Sequence, residues 1–135
     1  MNEVLRINFD GVIRDRGVFL SCIRSAVTKV TGERMTLDAL INEIAKNIFD
    51  HAEGKGFLVI SKEGDLFKFV IGDCGKKSYN FNKCINHSTL VGNGVNHGIG
   101  LGMIQDYAED LGIKLDVDTS KGFCYSGFYK KSFHS

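Results

Sequence analysis

The stretch LINEIAKNIFDHAEGKG, residues 40–56, decides how this chain is read. Its apolar positions, with Leu37 before them, are Leu40, Ile41, Ile44, Ala45, Ile48, Phe49 and Ala52, recurring at the three- and four-residue intervals of a buried helix face. At about 100° per residue, Glu43, Asn47 and Asp50 fall within roughly 60° of one another and make a polar stripe beside the apolar one. Two explanations are open. The stripe is a solvated face, or it has a side-chain task, since asparagine is a mediocre helix former whose amide competes with the backbone. An amide oxygen and a carboxylate one turn apart suit a hydrated divalent cation, because Mg²⁺ takes oxygen ligands and keeps several waters.

Working outward, VLRINFD alternates Leu5, Ile7 and Phe9 with polar neighbours and predicts a half-buried strand. DRGVFLSCIRSAVTKVTG predicts a first helix with apolar residues at Val18, Cys22, Ala26 and Val30, Phe19 and Ile23 beside them, and Gly32 as its stop. Thr36 is the expected N-cap of the second helix, and Asp38 sits in its first turn, where the helix dipole favours a negative charge. GFLVISKEGDLFKFVIGD predicts two strands joined at Glu63-Gly64-Asp65, with Phe67, Phe69 and Ile71 alternating against Lys68. Residues 75–97 are polar and irregular, longer than most connections in compact domains, as functional loops are. After HGIGLG, the run MIQDYAEDLG predicts a third helix with Met103, Ile104, Tyr107, Ala108 and Leu111 on one face and Gly112 as its stop. Two strands, near IKLDVDTS and GFCYSGFYKKSF, follow. This order predicts an α/β two-layer sandwich: a mixed, largely antiparallel sheet with its helices on one face. No repeat or linker divides residues 1–135, so one domain is expected.

Composition narrows the function. The 17 basic and 16 acidic side chains nearly cancel, and no basic cluster points to nucleic acid or an anionic membrane. The opening MNEVLRINFDG has no signal-peptide pattern and no apolar run is long enough to span a bilayer, so a cytoplasmic location is expected. Cys22, Cys74, Cys84 and Cys124 lack metal-site spacing and are read as reduced thiols. His51, His87, His97 and His134 are scattered and support no nucleophilic triad.

Two glycine motifs remain. GNGVNHGIGLGM places Gly92, Gly94, Gly98, Gly100 and Gly102 just before a helix; it is a flexible loop, or a place where backbone N–H groups approach a phosphate. It does not fit a Rossmann fingerprint, which requires G-x-G-x-x-G directly after a first strand. GDCGKKS, residues 72–78, is too short between its glycines for a P-loop. Asp73 and Gly75 there are ordinary turn residues, or an acceptor for a ligand amino group beside a backbone turn.

Together and in this order, NEIAKNIFDH, IGDCG and HGIGLGM resemble the N box and the two glycine boxes of the GHKL ATPases, the Bergerat-fold group that includes histidine kinase catalytic domains. The chain is most similar in layout to stand-alone anti-sigma factor serine/threonine kinases, whose helix reads E-x-x-x-N-x-x-x-H; Glu43, Asn47 and His51 match it. The resemblance implies an ATP-binding fold, Mg²⁺ held through the Asn47 oxygen and a catalytic base at Glu43. It implies adenine recognition by Asp73 and phosphates wrapped by Gly98, Gly100 and Gly102, with Asp50, His51, Gly75, Lys77 and Leu101 completing the nucleotide site. Lys77 replaces the second glycine usual in the first glycine box, and offers a point charge to a phosphate instead. The implied protein partner is a STAS-like antagonist or a sigma factor, and a homodimer is compatible with it. A nucleotide-dependent binding module and a detached histidine-kinase catalytic domain are the alternatives; the roughly 35 residues before the second helix read as a strand and a helix, not a phosphoacceptor hairpin.

Overall fold

The computed structural model of the protein describes residues 1–32, 37–73, 99–118 and 123–130, with side chains from Ile104 onward in the third of these segments. The elements are β1 (Asn2–Asp10), α1 (Arg16–Thr31), α2 (Leu37–His51), β2 (Lys55–Glu63), β3 (Leu66–Gly72), α3 (Ile99–Asp110), β4 (Asp116–Asp118) and β5 (Cys124–Lys130). The strands form one sheet in the order β1-β2-β3-β5-β4, and every ladder among the described strands is antiparallel. The expected α/β two-layer sandwich is present, its described sheet antiparallel throughout. No described helix is long and apolar enough to cross a membrane.

Register decides which side chains meet the helices. Leu58 pairs with Ile71 and Ile60 with Phe69, while Ile71 pairs with Tyr125 and Phe67 with Tyr129. These residues, with Leu5, Ile7 and Phe9 of β1 and Val117 of β4, make one core with the buried faces of the three helices. α2 lies between α1 and α3, above β2 and β3. β1 is an edge strand, and its register shifts between Glu3 and Leu5, a bulge of the kind that blunts sheet edges.

The helix ends follow their sequence signals. Asp15 caps α1 by accepting the Val18 N–H at 2.9 Å, and Gly32 stops it at φ 73. α3 ends in a Schellman motif: Gly112 at φ 70 donates to Glu109, and Ile113 donates to Ala108. The hairpin turn has Gly64 at φ 59 in its first central position, as a II′ turn requires. Thr36 lies outside the described residues.

Two expectations are corrected. α1 buries Phe19, Ile23, Val27 and Thr31, while Val18 is 51% exposed and Cys22 is exposed, so the stripe lies about 100° around from Val18 and Cys22. The apolar surface of α1 is wider than the sheet and α2 can cover. α3 begins at Ile99 rather than Met103, so Gly100, Leu101 and Gly102 stand inside its first turn.

Candidate functional site

Close backbone packing at the end of β3 places the first site residue. A Cβ on Gly56 would overlap the Gly72 carbonyl, and one on Gly72 would overlap the Phe123 carbonyl and lie 2.7 Å from Cys124 Cα. Gly72 therefore lets three strands approach, and Asp73 just beyond it is clamped to Phe123. Its N–H donates to the Phe123 carbonyl at 2.9 Å, and its Oδ1 accepts the Phe123 N–H at 3.0 Å. Asp73 is only 8% exposed.

Tyr125, two residues further along β5, links Asp73 to α2. Burial pushes the Tyr125 hydroxyl up to about 12, the Asp73 charge adds to that, and a hydrogen bond with the Asn47 side chain opposes it. Phe123 stacks on Tyr125, ring centroids 6.1 Å apart and planes at 15°. Neither Tyr125 nor Phe123 was singled out from the sequence; the alternation of FCYSGFY sets the Tyr125 face, but its meeting with Asn47 depends on how α2 crosses the sheet.

The rest of the polar stripe is engaged differently. Arg16, in the first turn of α1, grips Asp50 with two hydrogen bonds of 2.9 Å, Nε to Oδ1 and Nη2 to Oδ2. That bond, with the Arg16 charge, holds the Asp50 carboxyl below the usual carboxylate range, against a burial effect that raises it. Asp50 thus joins two helices, a role its spacing on α2 did not reveal. Glu43 pairs with Lys46 one turn along α2, and its side chain is 13% exposed. His51, the last residue of α2, is exposed.

Gly100, Leu101 and Gly102 lie where the first-turn N–H groups of α3 have no partner within the helix. Gly75, Lys77 and Gly98 lie outside the described residues. No group of three or more His, Cys, Asp or Glu among the described residues is arranged to hold a metal ion. A Mg²⁺ ion held by a single protein oxygen would need ligand phosphates and waters to complete its coordination.

No family model matches the chain, and no curated protein does. Among solved structures, the chain is similar to a blue-light activated histidine kinase of Erythrobacter litoralis, with a TM-score of 0.51 and 18% identity over 89% of this chain. The match takes in 46% of that kinase, so the chain spans less than half its length. At this identity the likeness is one of fold.

Proposed function

We propose that this protein is an ATP-binding regulator of the GHKL, Bergerat-fold group that acts as a serine/threonine kinase of the anti-sigma factor or switch type on a small STAS-like partner. The observation that carries the reading is Asp73, a buried carboxylate held at the end of β3 by its two hydrogen bonds to Phe123, beside the strand that carries Tyr125. Asp73 supplies an acceptor for the adenine amino group, and the first turn of α3 supplies N–H groups for phosphates. Asn47 is the ligand for Mg²⁺, which when bound offsets phosphate charge. Glu43 orients the attacking hydroxyl of the partner.

Two narrower readings each have an observation in their favour. The Lys46 partner of Glu43 favours a module that binds nucleotide and partner without much transfer. The fold likeness to a histidine kinase favours a detached catalytic domain of that type.

Calorimetric titration with MgATP and MgGTP tests the nucleotide site. Wild type should bind MgATP, Asn47→Ala should lose the Mg²⁺-dependent part, and Asp73→Ala should lose the preference for adenine. A guanine carbonyl would set an acceptor against Asp73, a mismatch of about 1–3 kcal/mol. Equal affinity for the two nucleotides, or no binding of either, overturns the reading.

A further inference from the structure

A recess lies about 200° around α2 from Asn47, on the side that carries Phe49. Gly11, Ile13 and Arg14 of the β1–α1 connection, Phe49, and Glu53 and Lys55 beyond the end of α2 line a cavity of about 470 Å³. That is within the range of small-ligand pockets.

The floor of the recess is built on the core, and its charge is unpaired among the described residues. Phe49 is held by Phe19 at 5.3 Å between ring centroids, and Phe19 by Phe9 at 5.2 Å, so the ring is anchored to the core. Among the described residues no carboxylate pairs with Arg14, whereas Arg16 two positions later is gripped by Asp50. The nearby Asp10 and Asp15 each accept a backbone N–H on a carboxylate oxygen, from Val12 and Val18 respectively. Lys55 faces Glu53 at 3.6 Å, which leaves the Arg14 guanidinium as the unbalanced charge of the lining.

Gly11 lets the two walls approach closely. A Cβ on Gly11, at φ 82, would stand 3.0 Å from the Glu53 carbonyl oxygen and 3.2 Å from the Lys55 side chain. Glu53 itself has φ 56, and is the one described non-glycine residue with a positive φ. Backbone strain of this kind gathers at ligand sites.

We propose that this recess binds a small aryl carboxylate, its carboxylate on Arg14 and its flat apolar body against Phe49 and Ile13. The planar guanidinium fork matches a carboxylate in two-pronged geometry, which an ammonium does not. An aromatic floor favours a flat body over a branched one.

The test is titration of the ¹⁵N-labelled full chain with benzoate, and with benzyl alcohol as the uncharged body. Benzoate should move the amides of Gly11, Ile13, Gly54 and Lys55 along saturating curves, and benzyl alcohol should bind more weakly. Arg14→Gln should weaken benzoate by about ten-fold or more, the loss of a charge-assisted contact. Ile13→Glu, at an exposed position, should abolish binding by placing a negative charge on the rim. Benzoate that moves none of these amides, or moves surface amides evenly, overturns the proposal. So does benzyl alcohol binding as tightly as benzoate, or an affinity that Arg14→Gln leaves unchanged.

Discussion

Asp73, at the end of β3, is clamped to Phe123 by two hydrogen bonds of 2.9 and 3.0 Å, and its charge acts on the buried Tyr125 two residues further along β5. The Tyr125 hydroxyl, pushed up from 10.0 to about 12 chiefly by burial, stays protonated in the folded chain at pH values where the unfolded chain ionises. The unfolded state therefore binds fewer protons between these values, and stability falls as pH rises through that window. Full loss of that difference is worth on the order of 3 kcal/mol. Tyr125→Phe should flatten the alkaline slope of unfolding free energy between pH 10 and 12, measured by urea titration. An unchanged slope would mean that Tyr125 is not the group responsible.

Gly72 and Gly64 predict opposite kinds of cost. A methyl group at Gly72 meets the Phe123 carbonyl and Cys124, so Gly72→Ala should lower stability by about 1–3 kcal/mol and displace Asp73. At Gly64 the φ of 59 faces open space, so Gly64→Ala should cost only the left-handed backbone penalty, about 1–2 kcal/mol. The site separates them: Gly72→Ala should also impair nucleotide binding, and Gly64→Ala should not. Matched effects on binding would show that Gly72 does not position Asp73.

What the sequence made legible depended on how one-sided each signal was. α2 is buried along one continuous stripe, so its period is plain in the residues from Leu37 to Ile48. α1 carries apolar side chains around more of its circumference than is covered, so periodicity alone chose the Val18 and Cys22 face. The start of α3 was hidden because Gly100 and Gly102, each costing about 1 kcal/mol in a helix, read as loop. The polar stripe on α2 was visible as a pattern, but Tyr125 and Arg16 as its partners are tertiary facts. Arg16 lies 34 residues from Asp50 in sequence.

The Arg16 and Asp50 pair gives an acid signature. The folded Asp50 carboxyl titrates below its ordinary value of 3.8, so the folded chain holds that proton less tightly than the unfolded chain does. The contribution of the pair is fully present above the ordinary value and disappears as pH falls through the lower, folded one. Asp50→Asn should leave a shallower loss of thermal stability on acidification below pH 4, relative to wild type. Identical acid limbs would show that solvent screening erases the pair.

Glu43 separates a kinase from a binding module, because the nucleotide contacts assigned to Asn47, Asp73 and the glycines do not include it. A general base contributes ~10²- to 10⁴-fold to a chemical step. Glu43→Gln should therefore keep MgATP affinity within about three-fold while transfer of labelled γ-phosphate to a STAS-like partner collapses by that factor. The pairing with Lys46 adds a second arm. Lys46→Met removes the ammonium that competes for the Glu43 carboxylate, so transfer should be kept or raised in that variant. Lys46 is half-buried on α2, and methionine keeps its length and helix propensity, so the fold should be unaffected. A partner that binds in a nucleotide-dependent way to all three proteins, with no phosphate transferred by any of them, would discard the base role of Glu43. The buried Asp73 beside Tyr125 would then serve a switch that is read by binding alone.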